Sequence, residues 1–452
     1  MLLFRHRYSN DLSYFYGEMP SGTRSTTEAH VIPSSRAQQD EDKGQTSSLA
    51  AFKSNYEKLP HYLKSCLDYC YVVSKEFYTG VSKGNVVRLL LAQGLIPEKP
   101  GEIMEDTAEN IINELIGLEM LHELYTYNGL IIEFSEFYEK SCLLEVEEQD
   151  FVSKAADSPI HAIEYLPDEV GDLVHLKYLY LTCFKMKTLP RTIANLQKLQ
   201  TLHLPNCSKL FQVPVEIYNI KQLRHLLFAN CHEYSDGIRV PRGIGTLANL
   251  QTCTGVYASA GIASELSSLT QLRTLHTGRS HFYPNWNHFL PPHLQELILS
   301  GGLVEMPNWL PSVENLTILE LINSNLLEEP SSVLQYLPKL KHLTLWEAYK
   351  AKLIGKEFCD VGGFPELETL IIASENLVEW TEIVNGAFPS LRYLRFYGCR
   401  KLRFLPEGLQ NISTIQELFV NVLHSDLARR LNGEENYKIK HISKFHWSSE
   451  IF

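Results

Sequence analysis

The sequence predicts an α/β chain: a solenoid of short parallel strands bent into a horseshoe, preceded by a small helical domain. Three observations predict it. An L-x-x-L-x-L unit returns about every 22–27 residues from Leu176 almost to the C-terminus. A second half-unit, L-P-x-x-I-x-x-L, fills many of the gaps between those units. Upstream, from about residue 51 to 135, the apolar spacing changes to that of amphipathic helices.

Taken in order, residues 1–50 are rich in Ser, Thr, Glu, Gln and Arg, lack apolar periodicity and read as a disordered leader. Residues 51–135 read as a folded module. Pro60 opens a helix whose Leu63, Cys66, Leu67 and Cys70 share one face. A second helix at Lys83–Gln93 stops at Gly94, with Pro97 just beyond. A third, Met104–Leu121, carries the stripe Ala108, Ile111, Ile112, Leu115 and Ile116. Met120–Tyr125 and Leu130–Phe134 then form a hairpin around Tyr127-Asn128-Gly129, Asn-Gly being a strong turn signal. Helices closed by such a hairpin resemble a winged helix. Residues 136–158 are acidic and weakly patterned, a linker or degenerate repeat, and residues 159–446 form the repeat array, with 447–452 as a tail.

Within the array the ladder runs through Leu176/Leu179/Leu181, Leu199/Leu202/Leu204 and Leu223/Leu226/Phe228, then Leu272/Leu275 and Leu294/Leu297/Leu299. It continues through Leu316/Leu319/Leu321, Leu340/Leu343/Leu345, Leu367/Leu370/Ile372, Leu391/Leu394/Phe396 and Ile415/Leu418/Val420. This is the pattern of a leucine-rich-repeat solenoid. Pro167, Pro190, Pro214, Pro241 and Pro406 each start a short convex turn whose apolar followers point back to the same interior. One repeat cannot bury its leucines alone; stacking supplies roughly 1.5–3 kcal/mol per buried Leu. The pattern frays between Tyr257 and Pro292.

Composition narrows the function. A formal charge of −12 argues against a nucleic-acid partner, which would require clustered Lys and Arg. No apolar run reaches about eighteen residues, so nothing spans a membrane. Met1-Leu2-Leu3-Phe4, cut short by Arg5 and Arg7, lacks the apolar core of a signal peptide, and a cytoplasmic location is expected. The nine cysteines form no disulfide framework. Cys207, Cys231 and Cys399 each fall eight residues after the first Leu of a repeat, where a small buried side chain turns the chain out of its strand. Cys66 and Cys70 have no second Cys/His pair at zinc-finger spacing and read as packed thiols, and no metal is expected. No catalytic constellation appears, so the chain is expected not to be an enzyme.

Three motifs carry a family resemblance. Leu59-Pro60-x-x-Leu63-Lys64-x-Cys66-Leu67-x-Tyr69-Cys70, Arg88-Leu89-Leu90-Leu91-Ala92-Gln93-Gly94-Leu95-Ile96 and Ala108-Glu109-Asn110-x-x-Asn113-Glu114-Leu115-Ile116 follow one another within about sixty residues and precede the repeats. In that order they resemble the winged-helix and leucine-rich-repeat portions of plant intracellular NB-LRR disease resistance proteins of the coiled-coil class. The family's second motif has Trp where Leu90 stands, and its first has Phe where Leu67 stands. The resemblance implies a role in plant innate immunity, with recognition by the repeats of a pathogen effector, a guarded host protein or the receptor's own nucleotide-binding domains. Family members bind ADP or ATP through a G-x-x-x-x-G-K-[ST] loop and an M-H-D motif. Neither occurs in this sequence, so no cofactor is expected here. The alternative function is an F-box-like leucine-rich-repeat adaptor that brings substrates to a ubiquitin ligase.

Strand alternation locates the contact surface. Between the inward leucines, one central column runs Tyr180, His203, Leu227, Thr254, His276, Ile298, Glu320, Thr344, Ile371, Arg395, Phe419 on the concave side. Flanking columns add Tyr178, Trp346, Tyr393 and Tyr397. Aromatic residues and Arg dominate binding hot spots. The candidate partner-binding residues are therefore Tyr178, Tyr180, His203, Trp346, Tyr393, Arg395, Tyr397 and Phe419.

Overall fold

A computed structural model describes residues 2–4, 52, 54–74, 81–126, 129–134, 165–181, 185–205, 207, 209–228, 237–257, 260–278, 291, 293–303, 305–327 and 329–448. The expected leader beyond residues 2–4, the acidic segment 136–158 and Cys231 lie outside them. The chain divides into two compact units, Met1–Ile160 and His161–Phe452.

The first unit contains α1 (His61–Ser74), β1 (Val81–Ser82), α2 (Lys83–Gln93), α3 (Met104–Gly117), β2 (Leu121–Thr126) and β3 (Gly129–Phe134). The strands form one antiparallel sheet in the order β1-β3-β2. Three helices are followed by an antiparallel hairpin, in the order that the apolar spacing predicts. Local chemistry sets the boundaries. The Ser82 hydroxyl accepts from the Asn85 amide at the start of α2. Gly94, at φ 78°, ends that helix by donating its amide to Leu90 and Leu91. Leu63, Cys66, Leu67 and Cys70 of α1 meet Val87 and Leu90 of α2 and Ile111, Ile112 and Leu115 of α3 in one apolar core. Helix α3 stops four residues earlier than expected. Glu119 adopts φ 59°, and the Met120 amide bonds back to the Leu115 carbonyl, a closure that turns the chain into β2.

The second unit is a one-layer parallel sheet. Its strands are β4 (Tyr178–Leu181), β5 (Thr201–His203), β6 (His225–Leu227), β7 (Thr252–Val256), β8 (Thr274–Thr277), β9 (Glu296–Ser300), β10 (Ile318–Ile322) and β11 (His342–Trp346). After the short β12 (Leu353–Ile354) come β13 (Thr369–Ala373), β14 (Glu379–Trp380), β15 (Tyr393–Tyr397), β16 (Glu417–Asn421) and β17 (Lys444–Ser448). Strands β12 and β14 pair separately with each other. All the others lie side by side in sequence order, each paired in parallel with the next. Register is strict through the ladder: Leu297, Leu319, Leu343, Leu370, Leu394 and Leu418 stand opposite one another on successive strands and are buried.

The return segments follow from proline. Pro167, Pro190 and Pro214 hold φ near −67° and ψ near 150°, and each is followed by a 3₁₀ turn, at Asp168–Asp172, Arg191–Asn195 and Val215–Asn219. Ile193 and Ile217 on those turns are buried, closing the interior from the convex side. Where the proline pattern frays, a helix, α4 (Ala260–Leu266), takes the place of the 3₁₀ turn, and residues 279–290 lie outside the described structure. Gly408, at φ 87°, occupies a position where any Cβ would collide with the Ile383 carbonyl.

The cysteine positions have a specific role. The Cys207 thiol reaches the Leu181 carbonyl of the preceding repeat (3.6 Å) as well as the Pro205 carbonyl of its own loop (3.6 Å). The Cys399 thiol reaches the Ile372 carbonyl of the preceding repeat (3.6 Å) as well as the Tyr397 carbonyl (3.3 Å). A small donor in the loop thus stitches each of these repeats to its predecessor. The C-terminal end differs from expectation: β17 extends through Ser448, so residues 447 and 448, expected in the tail, pair with β16. After α5 (Ser331–Leu334), the last helix is α6 (Ser425–Leu431), which leads to a buried lysine, Lys438. Its ammonium donates to the Leu405 carbonyl (2.9 Å) and pairs with Glu407 (2.8 Å) and Glu435 (3.2 Å).

Two measurements check this core. Leu370→Ala, on a fully buried central rung, should cost about 2–5 kcal/mol in a urea titration, and a cost well under that range would mean the rungs share no interior. Burial pushes the Cys66 thiol up to about 11 and the Cys253, Cys359 and Cys399 thiols up to about 12. At pH 8 these four should resist alkylation in native protein and react on unfolding, as read by peptide mass mapping.

Candidate functional site

The concave face is made of the strand positions that alternate with the buried leucines. Register confirms the columns: Tyr180 stands opposite His203, His203 opposite Leu227, and further on Thr344, Ile371, Arg395 and Phe419 face one another in turn. Along its length, the face is not uniform.

At the N-terminal end it is closed. Tyr178 is 0% and His203 8% exposed, and Thr201, His225, Leu227, Thr252 and Thr254 are buried as well. Tyr178 and His203, expected as contact residues, are therefore unavailable to a partner. The reason is crowding on adjacent rungs. The Tyr178 hydroxyl lies 3.4 Å from His203 Nδ1, and the Tyr180 ring meets the His203 ring edge-on at 4.9 Å. Tyr180 remains half-buried.

At the C-terminal end the face opens onto five of the expected residues. Trp346 and Tyr397 stack, their ring centroids 5.8 Å apart and their planes 29° apart. They sit on β11 and β15, two strands apart, with Ala373 of β13 between them in register. Strands are spaced about 4.8 Å apart. Only a side chain as small as alanine's in that slot lets the rings lean together over it. Tyr397 meets Phe419 at 5.3 Å, and Phe419 meets His446 at 6.1 Å. The result is a band of four rings running across the strands. Beside it, Arg395 donates from Nε (3.0 Å) and Nη2 (2.9 Å) to one oxygen of Glu417, and its guanidinium lies 5.7 Å from the Tyr393 ring centre. The other Glu417 oxygen lies 3.6 Å from His446 Nε2. Burial pushes the Tyr397 hydroxyl above its ordinary value; Arg395 opposes the rise and Glu417 adds to it.

Sequence reasoning missed Ala373, Glu417 and His446. Glu417 and Ala373 are ordinary at their positions and gave no signal. His446 had one: Ile442-x-x-Phe445-x-Trp447 is the ladder unit with aromatic rungs, and it extends the central column by one strand. The middle of the face holds a polar group. His276 Nε2 lies 3.0 Å from Glu296, and Glu320 sits on the next strand. Among the described residues no three His, Cys, Asp or Glu side chains are arranged to hold a metal ion, and no helix is long and apolar enough to cross a membrane.

Ala373→Leu tests the ring band. The larger side chain should wedge Trp346 from Tyr397, change the near-ultraviolet circular dichroism, and lower stability by about 1–3 kcal/mol from overpacking. An unchanged aromatic spectrum would show that the rings do not stack.

Comparison with known proteins agrees with this architecture. Residues 164–288 and 277–448 match the model of the leucine-rich repeat region family. In Arabidopsis thaliana, disease resistance RPP8-like protein 2 is 24% identical over 89% of this chain and 55% of its own length. Disease resistance protein RPP8 is 29% identical over 61% of this chain and 34% of its own length, and disease resistance protein RPM1 is 32% identical over 33% and 16%. The chain thus spans from a sixth to about half of the length of these relatives. A leucine-rich-repeat protein of Leptospira interrogans aligns with 63% of this chain and 81% of its own, at 20% identity and a TM-score of 0.41. With its family model covering most of the second unit, this chain belongs to the leucine-rich-repeat family and is similar to plant disease resistance proteins.

Proposed function

We propose that this chain is a protein-recognition component of plant defence, binding its partner through the C-terminal part of the concave face and carrying out no chemistry of its own. The observation that supports this most is the ring band Trp346–Tyr397–Phe419–His446 with Arg395 and Glu417 beside it. Half-buried aromatic rings held by their neighbours lose little conformational freedom on binding, which is why such residues anchor protein interfaces. A one-layer sheet presents this band on an open face, an architecture suited to gripping a partner.

The similarity to disease resistance proteins supports the setting. Partners of the class bound by such receptors, an effector, a guarded host protein or the receptor's own switch domains, fit a broad concave surface. The reading places the protein in the cytoplasm, where the resembling receptors act. No observation favours the ubiquitin-ligase adaptor: the helices at 61–117 close with a wing.

Proximity labelling in plant cells tests the proposal, comparing wild type with the double variant Tyr397→Ala/Phe419→Ala and with Tyr336→Ala/Val361→Ala, whose two side chains are exposed away from the strand face. The first variant should lose a defined set of neighbours. It should bind an identified neighbour at least about thirtyfold more weakly, the scale of a hot-spot truncation. Neighbours kept by that variant and lost by the second would overturn the assignment of the surface.

A further inference from the structure

We propose that Glu320, at the middle of the concave face, anchors a basic side chain, Lys or Arg, of the partner polypeptide. The inference rests on the recognition reading and names the chemistry that the partner must bring.

Glu320 belongs to the central column of β10. Across the strands its register neighbours are Ile298 and Thr344, and along its own strand the same face carries Ile318 and Ile322. Among the described residues no hydrogen bond or ion pair reaches its carboxylate. The charged and titratable groups around it are few. Glu296 of β9 is engaged by His276 of β8 at 3.0 Å and by the Thr274 hydroxyl at 3.4 Å. His342 of β11 lies in the next column, opposite Ile318. Burial pushes the Glu320 carboxyl up to about 7; His276 opposes that rise and Glu296 adds to it.

A carboxylate held in such a place without a donor is costly to the free chain, and a cation arriving from outside would offset that cost. A metal ion fits poorly, because hard cations gather six or more oxygens and Glu320 is the one open carboxylate of this group. A Lys or Arg fits better. Its aliphatic stem would lie against the half-buried Ile318 and Ile322 while its head meets the carboxylate. One strand along, Trp346 stands opposite Ile322 and starts the ring band, so the same partner segment would set aromatic or apolar residues beside the basic one. The net charge of −12 favours approach of a basic segment over long range.

The link to pH follows. A cationic side chain binds ionised Glu320, so affinity rises as the carboxyl loses its proton. With the Glu320 carboxyl pushed up to about 7 by burial, binding should be about tenfold tighter at pH 8 than at pH 6. The test is a random peptide library selected on the purified chain. Selected peptides should be enriched in Lys or Arg, show the tenfold pH effect, and lose both features on Glu320→Gln. Thr344→Lys, which sets an ammonium beside Glu320 from within, should abolish the enrichment too; far-ultraviolet circular dichroism verifies that both variants fold. Peptides that need Tyr397 and Phe419 but carry no basic residue, or that bind equally well to both Glu320-site variants, would overturn this inference and leave the recognition surface standing. A library yielding no peptide dependent on the concave face would overturn both.

Discussion

The whole second unit depends on one constraint: no repeat of this chain can bury its own leucines. An L-x-x-L-x-L strand with its return turn is a thin loop, open above and below. Leu319 leaves water only because Leu297 and Leu343 stand on either side of it in register. Backbone pairing imposes the same dependence, since each strand finds its hydrogen-bond partners only on its two neighbours. Strand order must therefore equal sequence order, and the face opposite the core becomes a continuous surface. The thiols of Cys207 and Cys399, each bonded to a carbonyl of the previous repeat, are a local expression of the same rule.

What the repeat constrains was legible, and what it leaves free was not. Inward positions tolerate only aliphatic or aromatic side chains, so the ladder, its strands and the columns of the concave face followed from period and alternation. The Pro-initiated turns followed for a similar reason, because proline fixes its own φ. The concave positions have no such rule. Whether Tyr178 is open or closed depends on the volume of His203 one repeat later, a contact twenty-five residues away that no local pattern records. The Trp346–Tyr397 stack likewise depends on Ala373, notable only for being small. The last repeat was hidden by Phe445 and Trp447 standing on leucine rungs.

Another feature escaped the leucine pattern. Phe364 and Phe388 each precede a proline and each adopt a left-handed backbone, at φ 52° and 53°. Their rings stack at 5.2 Å with planes 8° apart, and Phe358 and Trp380 pack against them. The backbone strain at two bulky residues is offset by burying four large rings together. This cluster replaces the Pro-initiated turns on the convex side of the repeats beneath Trp346 and Tyr397. Aromatic packing thus occurs on both sides of the same strands, with β13 and β15 between.

The end of the array bears on how firmly that surface is held. Trp447, on an inward rung of the last described strand, is 57% exposed. Strand β17 nevertheless carries His446, the last ring of the band, so its position matters to the site. Lys438, six residues earlier, ties this end down. Burying an ammonium is costly, but this one meets a carbonyl and two carboxylates, and its hydrogen bond holds the Glu407 carboxyl below the usual range. Glu407 lies in the preceding repeat, so the contact clamps the closing segment onto the body of the solenoid rather than onto itself. A site built partly on β17 keeps its geometry only if that strand cannot fray, and the clamp from Lys438 to Glu407 and the Leu405 carbonyl supplies that restraint.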